Sequence, residues 1–326
     1  MLFGSKLHRR RYLSSARSVR GSAPVGCRLH AVPKRRDLSF VRSRRKLARA
    51  FPQRGASPQV EAGAIPYGDC AKIGYPDPME VETVHALVLR RRDSGEDDRQ
   101  MTVLTAERGV VDVIAKGARK GGSRLAGSSE PFSVCTMSIA PGRKRRYVMQ
   151  TQPITSFPGL RADFDRMTIG LGLLELALAI LPHDDPAPRA FKFLVEALHH
   201  LEGHPKPIVV AVWAEVVLMS IAGFQPRFDA CAVTGQSMRE AEAWVSPSAG
   251  GYVVAEEAID FRDRFRVRFE VLVGLAKIGK LEAPPKNLKF AKECLRTLVP
   301  FWAEIVGRPL PAHDASVREI AGDGRP

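Results

Sequence analysis

The sequence contains little cysteine, and none of it is paired. Cys27, Cys70, Cys135, Cys231 and Cys294 are spread along 326 residues. No two of them stand at the spacing of a metal knuckle, a C-x-x-C redox motif or a disulfide framework. This usage excludes a disulfide-dense secreted domain and is typical of a reducing compartment.

Long hydrophobic runs are also missing. The most apolar stretch, residues 208–224, is shorter than a membrane span and is interrupted by Glu215. We therefore interpret it as a buried helix. The N-terminus has no apolar h-region of a secretory signal.

Acidic residues are almost absent from the start of the chain. Residues 1–60 hold 16 Lys and Arg side chains and one acid, Asp37, and the other 266 residues hold 34 basic and 34 acidic side chains. The formal charge of +15 thus belongs to residues 1–60, which lie within the leader, residues 1–78. Three interpretations stay open: a translated upstream region, an organellar transit peptide, or a basic nucleic-acid arm. The first is favoured because Met79 directly precedes the first convincing strand, and the leader would then not be part of the native chain.

Catalytic motifs are missing as well. His199, His200 and His204 lie together on one polar helix end with no acid pair or nucleophile nearby. No Gly-rich loop has Walker spacing. The paired acids 184–185 and 256–257 fall at predicted helix starts, where they complement the helix dipole. We expect no enzyme, no cofactor and no catalytic residue.

What the sequence does contain, from residue 81 onward, is a period-two, β-branched pattern. It predicts five strands in about 77 residues, with a polar loop at "RDSGEDDRQ" and a turn at residues 107–109. The longest connection falls between strands three and four, where an OB-fold commonly has its helix. Residues 79–158 are therefore predicted to form a five-stranded OB-fold barrel.

The period becomes helical after Pro158. Residues 159–308 are predicted to form an all-α domain with an irregular insert at 228–258, and 309–326 to be a loose tail. Helices are expected at 162–182, 188–202 and 206–224, and again across 256–279 and 286–307. The fold class is α+β with two domains.

Basic residues in the predicted barrel fall into three clusters. Residues 81–157 hold 13 basic and 8 acidic side chains. We predict that the clusters bind nucleic acid, although a solubilising surface remains the alternative. Only Phe132, Tyr147 and Phe157 are aromatic there, which favours phosphate contacts over base stacking. The candidate DNA-binding residues are Arg90, Arg91, Arg92, Lys116, Arg119, Lys120, Arg124, Arg143, Lys144, Arg145 and Arg146.

A second candidate surface is "FRDRFRVRF" at 261–269. Taken as an amphipathic helix, it places Phe261, Phe265 and Phe269 on one face. Its cations could dock an acidic, hydrophobic tail, and a helix that simply faces the core is the alternative. The candidate docking residues are Arg262, Arg264, Arg266 and Arg268.

These motifs, in this order, resemble the RecO family of bacterial recombination mediators. The resemblance rests on "VLTAERGVVDVIAKGARK" and on "GFQPRFDACAVTG" followed by "VSPSAGGYVV" after three helices. It covers roughly 240 residues and excludes the leader.

The resemblance implies binding of single- and double-stranded DNA and annealing of complementary strands. It implies work with RecR, often with RecF, docking on the acidic tail of single-strand-binding protein, and indirect loading of RecA. The expected location is the bacterial cytoplasm at the nucleoid, with no membrane partner, while organellar targeting by the leader stays open. Two other hypotheses remain: an OB-fold protein that binds structured RNA with the leader as an arm, and an adaptor that makes protein contacts only.

The resemblance also bears on how Cys231 is interpreted. Many RecO-like proteins carry a four-cysteine zinc knuckle here, with two ligands at C-x-x-C and two past a Gly-Gly turn. In this sequence Thr234 replaces the second cysteine, and residues 253–257 offer none. We therefore expect a degenerate, metal-free knuckle held by apolar packing, with Cys231 buried beside Trp244, Val245, Tyr252 and Val254.

Overall fold

The structure is a computed structural model that describes residues 81–239 and 243–322. The expectations for the leader, residues 1–78, lie outside the described residues.

The first described region is a closed five-stranded barrel, as the period-two pattern predicts. Its strand order is β1-β2-β3-β5-β4, and β1 pairs with β4 to close it. All pairs are antiparallel except β3 with β5, which is the order of an OB-fold. A four-residue helix, α1, lies in the long connection after β3. The elements are β1 Glu82–Ser94, β2 Asp98–Thr105, β3 Gly109–Ala115, α1 Leu125–Ser128, β4 Val134–Pro141 and β5 Arg146–Thr155.

One loop of the barrel is shorter than predicted. The polar stretch "RDSGEDDRQ" is mostly strand, because β1 continues to Ser94 and β2 begins at Asp98. Only Gly95–Asp97 turn the chain, and Gly95 has a positive φ of 67°. Polar side chains fit these strand ends because they face solvent, so polarity alone does not mark a loop.

Alternating side chains give the barrel two apolar faces. One set, including Val84, Val88, Met101 and Val113, fills the interior. The alternate set points outward and joins the core of the helical domain. This outward set is Leu87, Leu89, Leu104 and Val110.

The β2–β3 turn fixes the barrel against the helical region. Val110 N–H donates to Pro182 O at 3.0 Å, and Asp184 N–H donates to Val110 O at 3.1 Å. Gly109 has a φ of 63°, and a Cβ there would lie 2.2 Å from Asp185 O. Only glycine allows this approach.

The second region is helical, and its core surrounds one apolar helix, α5. Ten α5 residues are buried, including Trp213 and Glu215, so the helix is apolar on nearly every side. Its neighbours are α3, α4, α7 and α8. Within residues 81–239 and 243–322, no helix is long and apolar enough to cross a bilayer. The helices are α2 Pro158–Ala162, α3 Phe164–Ile180, α4 Pro188–Gly203, α5 Pro207–Ile221, α6 Ala255–Ala258, α7 Phe269–Ile278, α8 Ala291–Val306 and α9 Pro311–Ala321.

The prediction of a loose tail from 309 was wrong for residues 311–321. They form α9, which packs against α3 and α8 and buries His313, Ser316 and Val317. Glu175 Oε2 accepts hydrogen bonds from the N–H groups of Ala312 and His313 at 2.8 and 2.9 Å. A carboxylate from α3 thus caps the first turn of α9.

The prediction of one helix across 256–279 was also wrong. Residues 255–258 form the short α6, and α7 begins only at Phe269. Between them lies strand β8, Phe265–Arg266, which pairs with strand β6, Trp244–Ser246. Val267 N–H continues this pairing by donating to Ala243 O at 2.9 Å. Phe261, Phe265 and Phe269 therefore do not share a helical face.

The insert forms a small antiparallel sheet beside the Cys231 loop. Strand β7, Gly251–Val253, pairs with β6 to give a three-stranded sheet of order β7-β6-β8. Ala232 N–H donates to Tyr252 O at 2.7 Å and holds the Cys231 loop against the sheet. Cys231, Val245, Tyr252 and Val254 are buried, which confirms the predicted apolar packing. Trp244 is only half-buried.

The donors of the insert do not fit zinc. Cys231 is its only thiol, and Thr234 N–H approaches the Cys231 Sγ at 3.5 Å where a second ligand would stand. Burial raises the pKa of Cys231, but hydrogen bonds from the Thr234 side chain and from the Thr234, Val254 and Val233 backbone outweigh it, and the pKa is lowered. Glu256 faces Arg239 at 3.5 Å. One thiolate cannot complete a tetrahedral site.

Candidate nucleic-acid interface

The basic turn between β4 and β5 is a tight hairpin. Gly142 N–H donates to Arg145 O at 2.9 Å, so Arg143 and Lys144 occupy its tip. A Cβ at Gly142 would lie 2.6 Å from the Tyr147 ring and 2.8 Å from Arg145 O. The Lys116 ammonium covers the same ring at 4.9 Å from its centroid. The Tyr147 ring thus packs against the turn, and the side chains of Arg143, Lys144 and Arg145 are exposed to solvent.

A cleft of about 510 Å³ runs beside this turn, on the outer surface of β2 and β3. Four consecutive cations of the turn line it on one side. Among the residues of its lining, Asp112 is the only acid. The remaining lining residues are Gln100, Val113, Ile114, Pro141 and Gly142, with the cations Arg143, Lys144, Arg145 and Arg146.

Two β1 arginines extend this surface across the sheet. Arg90 stands opposite Thr102 of β2, and Arg92 stands opposite Gln100 of β2. Both arginines therefore lie in rows of side chains that cross the sheet from β1 through β2 toward the cleft. Thr102 Oγ1 donates to Asp112 Oδ1 at 2.6 Å along one of these rows. Burial and the neighbouring charge of Arg92 lower the pKa of Arg90. Like charges collected this closely favour a polyanionic partner.

Carboxylates are scarce around these cations. Among the residues that the structure describes, no carboxylate lies within 4 Å of Arg90, Arg92, Arg143, Lys144 or Arg145. These five residues are named the barrel cation face below. A nucleic-acid phosphate could therefore approach them without first displacing an ion pair.

The other predicted DNA-binding residues point elsewhere or have acidic partners. Arg91 Nε donates to Glu130 Oε2 at 2.8 Å. Arg119 lies 3.7 Å from Asp93, and Lys120 3.5 Å from Asp97. Arg124 is exposed beside α1. Arg119 and Lys120 thus belong to a mixed-charge network on another part of the barrel, which also includes Arg99.

Arg146 differs from the rest of its turn. Its Nη2 lies 2.7 Å from Asp184 Oδ1, in the α3–α4 connection. Arg108 reaches the same carboxylate at 3.9 Å. Arg146 therefore joins the barrel to the helical region more than it adds free charge to the cleft.

The four arginines predicted for partner docking lie on extended chain and on the turn before it. Arg264 and Arg266 lie over the Trp244 ring at 5.8 and 5.5 Å, and Arg268 lies over Phe290 at 5.2 Å. Arg262 is exposed in the preceding turn.

The histidine group at the end of α4 has structural contacts. His199 meets Phe157 edge-on at 4.7 Å, and His200 meets Trp213 at 5.5 Å. The His204 Nδ1 accepts a hydrogen bond from Lys206 N–H at 3.1 Å. Burial lowers the pKa of His200.

Comparison with known proteins shows which family the chain belongs to. The model of the family "Recombination protein O N terminal" matches residues 79–157, and that of "Recombination protein O C terminal" matches residues 161–313. DNA repair protein RecO of Nocardioides sp. is 36% identical over 170 residues, which cover 51% of this chain and 70% of that protein. The chain belongs to the RecO family.

Two further RecO proteins extend the match. RecO of Gloeobacter violaceus is 30% identical over 202 residues, covering 61% of this chain and 77% of that protein. RecO of Bifidobacterium adolescentis is 30% identical over 227 residues, covering 67% of this chain and 91% of that protein. RecO membership gives the chain a role in DNA repair and recombination.

Membership in the RecO family does not identify the residues that contact DNA. The eleven barrel cations stay predictions, of which the structure gathers five in the barrel cation face and places Lys116 beside them. Gln100, Asp112 and Asp184 were not predicted. Their places follow from strand register and from a contact between regions, neither of which has a local sequence signal.

Proposed function

We propose that this RecO-family chain binds single- and double-stranded DNA through the barrel cation face, largely by phosphate contacts. The observation that carries the proposal is a rigid turn that presents three exposed cations without acidic partners beside a cleft. Phosphate oxygens are the natural partners of such a surface. Its outer position on a barrel leaves access for either form of DNA.

The aromatic content of the barrel supports phosphate contacts over base stacking. Phe132 and Phe157 are buried. Tyr147 is already held between Lys116 and Gly142, which leaves little of its ring for a base. Without a stacking platform, affinity should fall steeply with salt and depend weakly on sequence.

We further propose that the chain anneals complementary strands and acts without catalysis of its own. Neutralising phosphates lowers the repulsion between two approaching strands, which needs no nucleotide hydrolysis. Family membership supports action with RecR, and with RecF, to help load RecA onto DNA coated by single-strand-binding protein. The compartment that this implies is the bacterial cytoplasm.

Docking of the acidic tail of single-strand-binding protein remains part of the proposal, without an assigned surface. The helix expected to present Arg262, Arg264, Arg266 and Arg268 is absent. The original reason for placing the tail there no longer holds.

The experiment compares the full chain with a chain beginning at Met79. Both are tested for binding of labelled DNA and RNA of one sequence, and for annealing of complementary DNA strands. We expect both chains to bind and anneal DNA. Loss of binding on removal of residues 1–78, with preference for folded RNA, would favour an RNA-binding arm. If the chain binds DNA no more strongly at low salt than a neutral control protein does, the adaptor that makes protein contacts only would be favoured instead.

A further inference from the structure

Asp112 is an acid within a basic surface. It is the one exposed position of β3, whose other residues are all buried. It is also the only acid among the residues that line the cleft beside the β4–β5 turn, where four cations stand. Those cations attract phosphates, whereas the Asp112 carboxylate repels them. Its charge therefore opposes phosphate binding, and a different part of a nucleic acid must be its partner.

The Asp112 side chain is held in place by a neutral neighbour. Thr102 stands opposite Asp112 in the β2–β3 pairing, and its hydroxyl donates to Asp112 Oδ1 at 2.6 Å. Thr102 is only 4% exposed, so its hydroxyl is fixed by the packing of the sheet. Arg90 stands on the other side of Thr102 in the same row. The carboxylate is therefore oriented before any ligand arrives.

The cations around Asp112 do not pair with it. In residues 81–239 and 243–322, no Lys, Arg or His nitrogen lies within 4 Å of its carboxylate oxygens. Thr102 is its one hydrogen-bond donor in that part of the chain, and Oδ2 has no donor there. The two oxygens of an ionised carboxylate offer about four acceptor positions. Both oxygens of this exposed side chain can therefore accept from a ligand.

The N–H donors of DNA lie on its bases. An unpaired guanine presents two parallel donors, N1–H and N2–H, on its Watson–Crick edge, and these match the two oxygens of a carboxylate. Cytosine and adenine each present one amino group there. Thymine presents only N3–H, between two carbonyl oxygens that a carboxylate repels. The chemistry of Asp112 thus favours guanine and disfavours thymine.

The cleft has room and surface for a base. Its volume is about 510 Å³, which exceeds that of one base. Ile114 and Pro141 add apolar lining against which the face of a base can lie, and Gln100, opposite Ile114, adds an amide. In duplex DNA the Watson–Crick edge of guanine is already paired, so only a single strand can present it to Asp112.

We propose that Asp112 accepts hydrogen bonds from an unpaired guanine base in the cleft while the barrel cation face holds the adjacent phosphates. The inference rests on the proposed function, because a base reaches the cleft only if its strand binds there. Asp112 then gives single strands a modest base preference, added to phosphate binding that depends weakly on sequence. Duplex DNA gains nothing from Asp112, since the carboxylate only repels its phosphates.

The first test changes the ligand. Three labelled single strands of equal length carry guanine, hypoxanthine or thymine at every third position of a thymine background. Hypoxanthine keeps N1–H but lacks the N2 amino group. Fluorescence anisotropy with the full chain should give the affinity order guanine, hypoxanthine, thymine. Guanine strands should bind about fivefold more tightly than thymine strands, the low end for a bidentate base contact.

The outcomes of this test separate the two proposals. Equal affinities for the three strands would overturn the inference and leave the proposed function intact. Absence of DNA binding by the full chain would overturn the proposed function itself.

The second test changes the protein. D112N keeps the size of the side chain and an acceptor for Thr102, but it removes the charge and replaces one acceptor oxygen with an amide donor. It should bind duplex DNA more tightly than the unchanged chain, because a repelling charge is gone, and it should lose the preference for guanine over thymine. The control is E96Q, which removes one charge from the exposed β1–β2 turn and should keep the preference.

Two results with D112N would overturn the inference. One is a guanine preference equal to that of E96Q. The other is an equal gain in affinity for guanine strands and for duplex DNA, because charge repulsion alone would then account for Asp112.

Thermal melting checks the fold of D112N. Should it melt early, T102V removes the hydroxyl that orients the carboxylate and keeps the charge. The guanine preference should then fall while duplex binding stays unchanged. A preference that T102V leaves intact would again overturn the inference.

Discussion

Arg146 and Asp184 form an ion pair, 2.7 Å from Nη2 to Oδ1, between the barrel and the α3–α4 connection. It divides one run of four cations into two kinds. Arg143, Lys144 and Arg145 face solvent without an acidic partner in the described residues, whereas Arg146 is partly neutralised. Four cations of one turn should therefore contribute unequally to DNA binding.

Replacing Asp184 tests this inequality. D184N frees Arg146 for a phosphate, so the slope of log affinity against log salt for single-stranded DNA should steepen by about 0.7. Fluorescence anisotropy at several salt concentrations measures it. D185N, at an exposed neighbour, is the control and should leave the slope unchanged. Equal slopes for the two variants would show that the ion pair does not limit Arg146.

The three free cations of the turn can be removed together. R143Q/K144Q/R145Q should reduce the salt slope by about 2 for single-stranded DNA, because each lost phosphate contact accounts for about 0.7. The control is R189Q/K277Q/R318Q, with the same loss of charge elsewhere. A slope equal to the control's would move the DNA path away from this turn.

Gly109 and Gly95 form a matched pair of turn glycines. Both have positive φ, but a Cβ at Gly109 would lie 2.2 Å from Asp185 O, while one at Gly95 meets nothing within 4 Å. G95A should cost about 1 kcal/mol of unfolding free energy, the backbone penalty alone. G109A should cost about 3 kcal/mol or more, since the backbone must also move. Urea unfolding compares them, and equal losses would show that the contact with the α3–α4 connection is not rigid.

His313 makes stability depend on pH. Burial alone would lower its pKa, but Glu215 at 3.2 Å from Nε2, with Asp314 and Glu175, outweighs burial, and the pKa is raised. A raised pKa stabilises the fold fully below the ordinary value of 6.5, and this contribution is lost as pH rises through the raised value.

Replacing His313 should therefore lower the unfolding free energy mainly at acidic pH. H313Q should lower the unfolding free energy by about 3 kcal/mol near pH 6, as for breaking a buried pair. The difference from the unchanged chain should shrink as pH rises, which thermal melting at several pH values measures. A difference independent of pH would mean that His313 stays neutral throughout.

The barrel could be predicted because its signal is local. Alternation over β1 to β5 marks every strand, and the turn before Gly109 is where the sequence indicates it. Helices α3, α4 and α5 are equally clear from their apolar spacing and the prolines at the start of α4 and α5.

Two errors have physical causes that the sequence contains. Phe261, Phe265 and Phe269 are spaced by four, which fits one face of a helix and one face of a strand alike, while the alternating arginines indicate the strand. In the tail, Pro311 and Gly322 are the start and stop residues of α9, not signs of loose chain. Its first turn is capped by Glu175 on α3, which no local pattern reveals.

The site was harder to predict than the fold. Clusters of cations are visible in sequence, but the acids that neutralise them are not. Asp93 reaches Arg119 across a strand end, and Asp184 reaches Arg146 across two regions. Only the folded chain distinguishes a cation that is free for phosphate from one that is already paired.

The most direct test of the account is to map where a single DNA strand lies on the full chain. Photo-crosslinking of an oligonucleotide with photoreactive bases, followed by peptide mass spectrometry, identifies the contacted segments. The account predicts crosslinks within residues 90–92 and 141–147, reduced in the R143Q/K144Q/R145Q variant. Crosslinks that avoid both segments, and are unchanged in that variant, would contradict DNA binding by the barrel cation face.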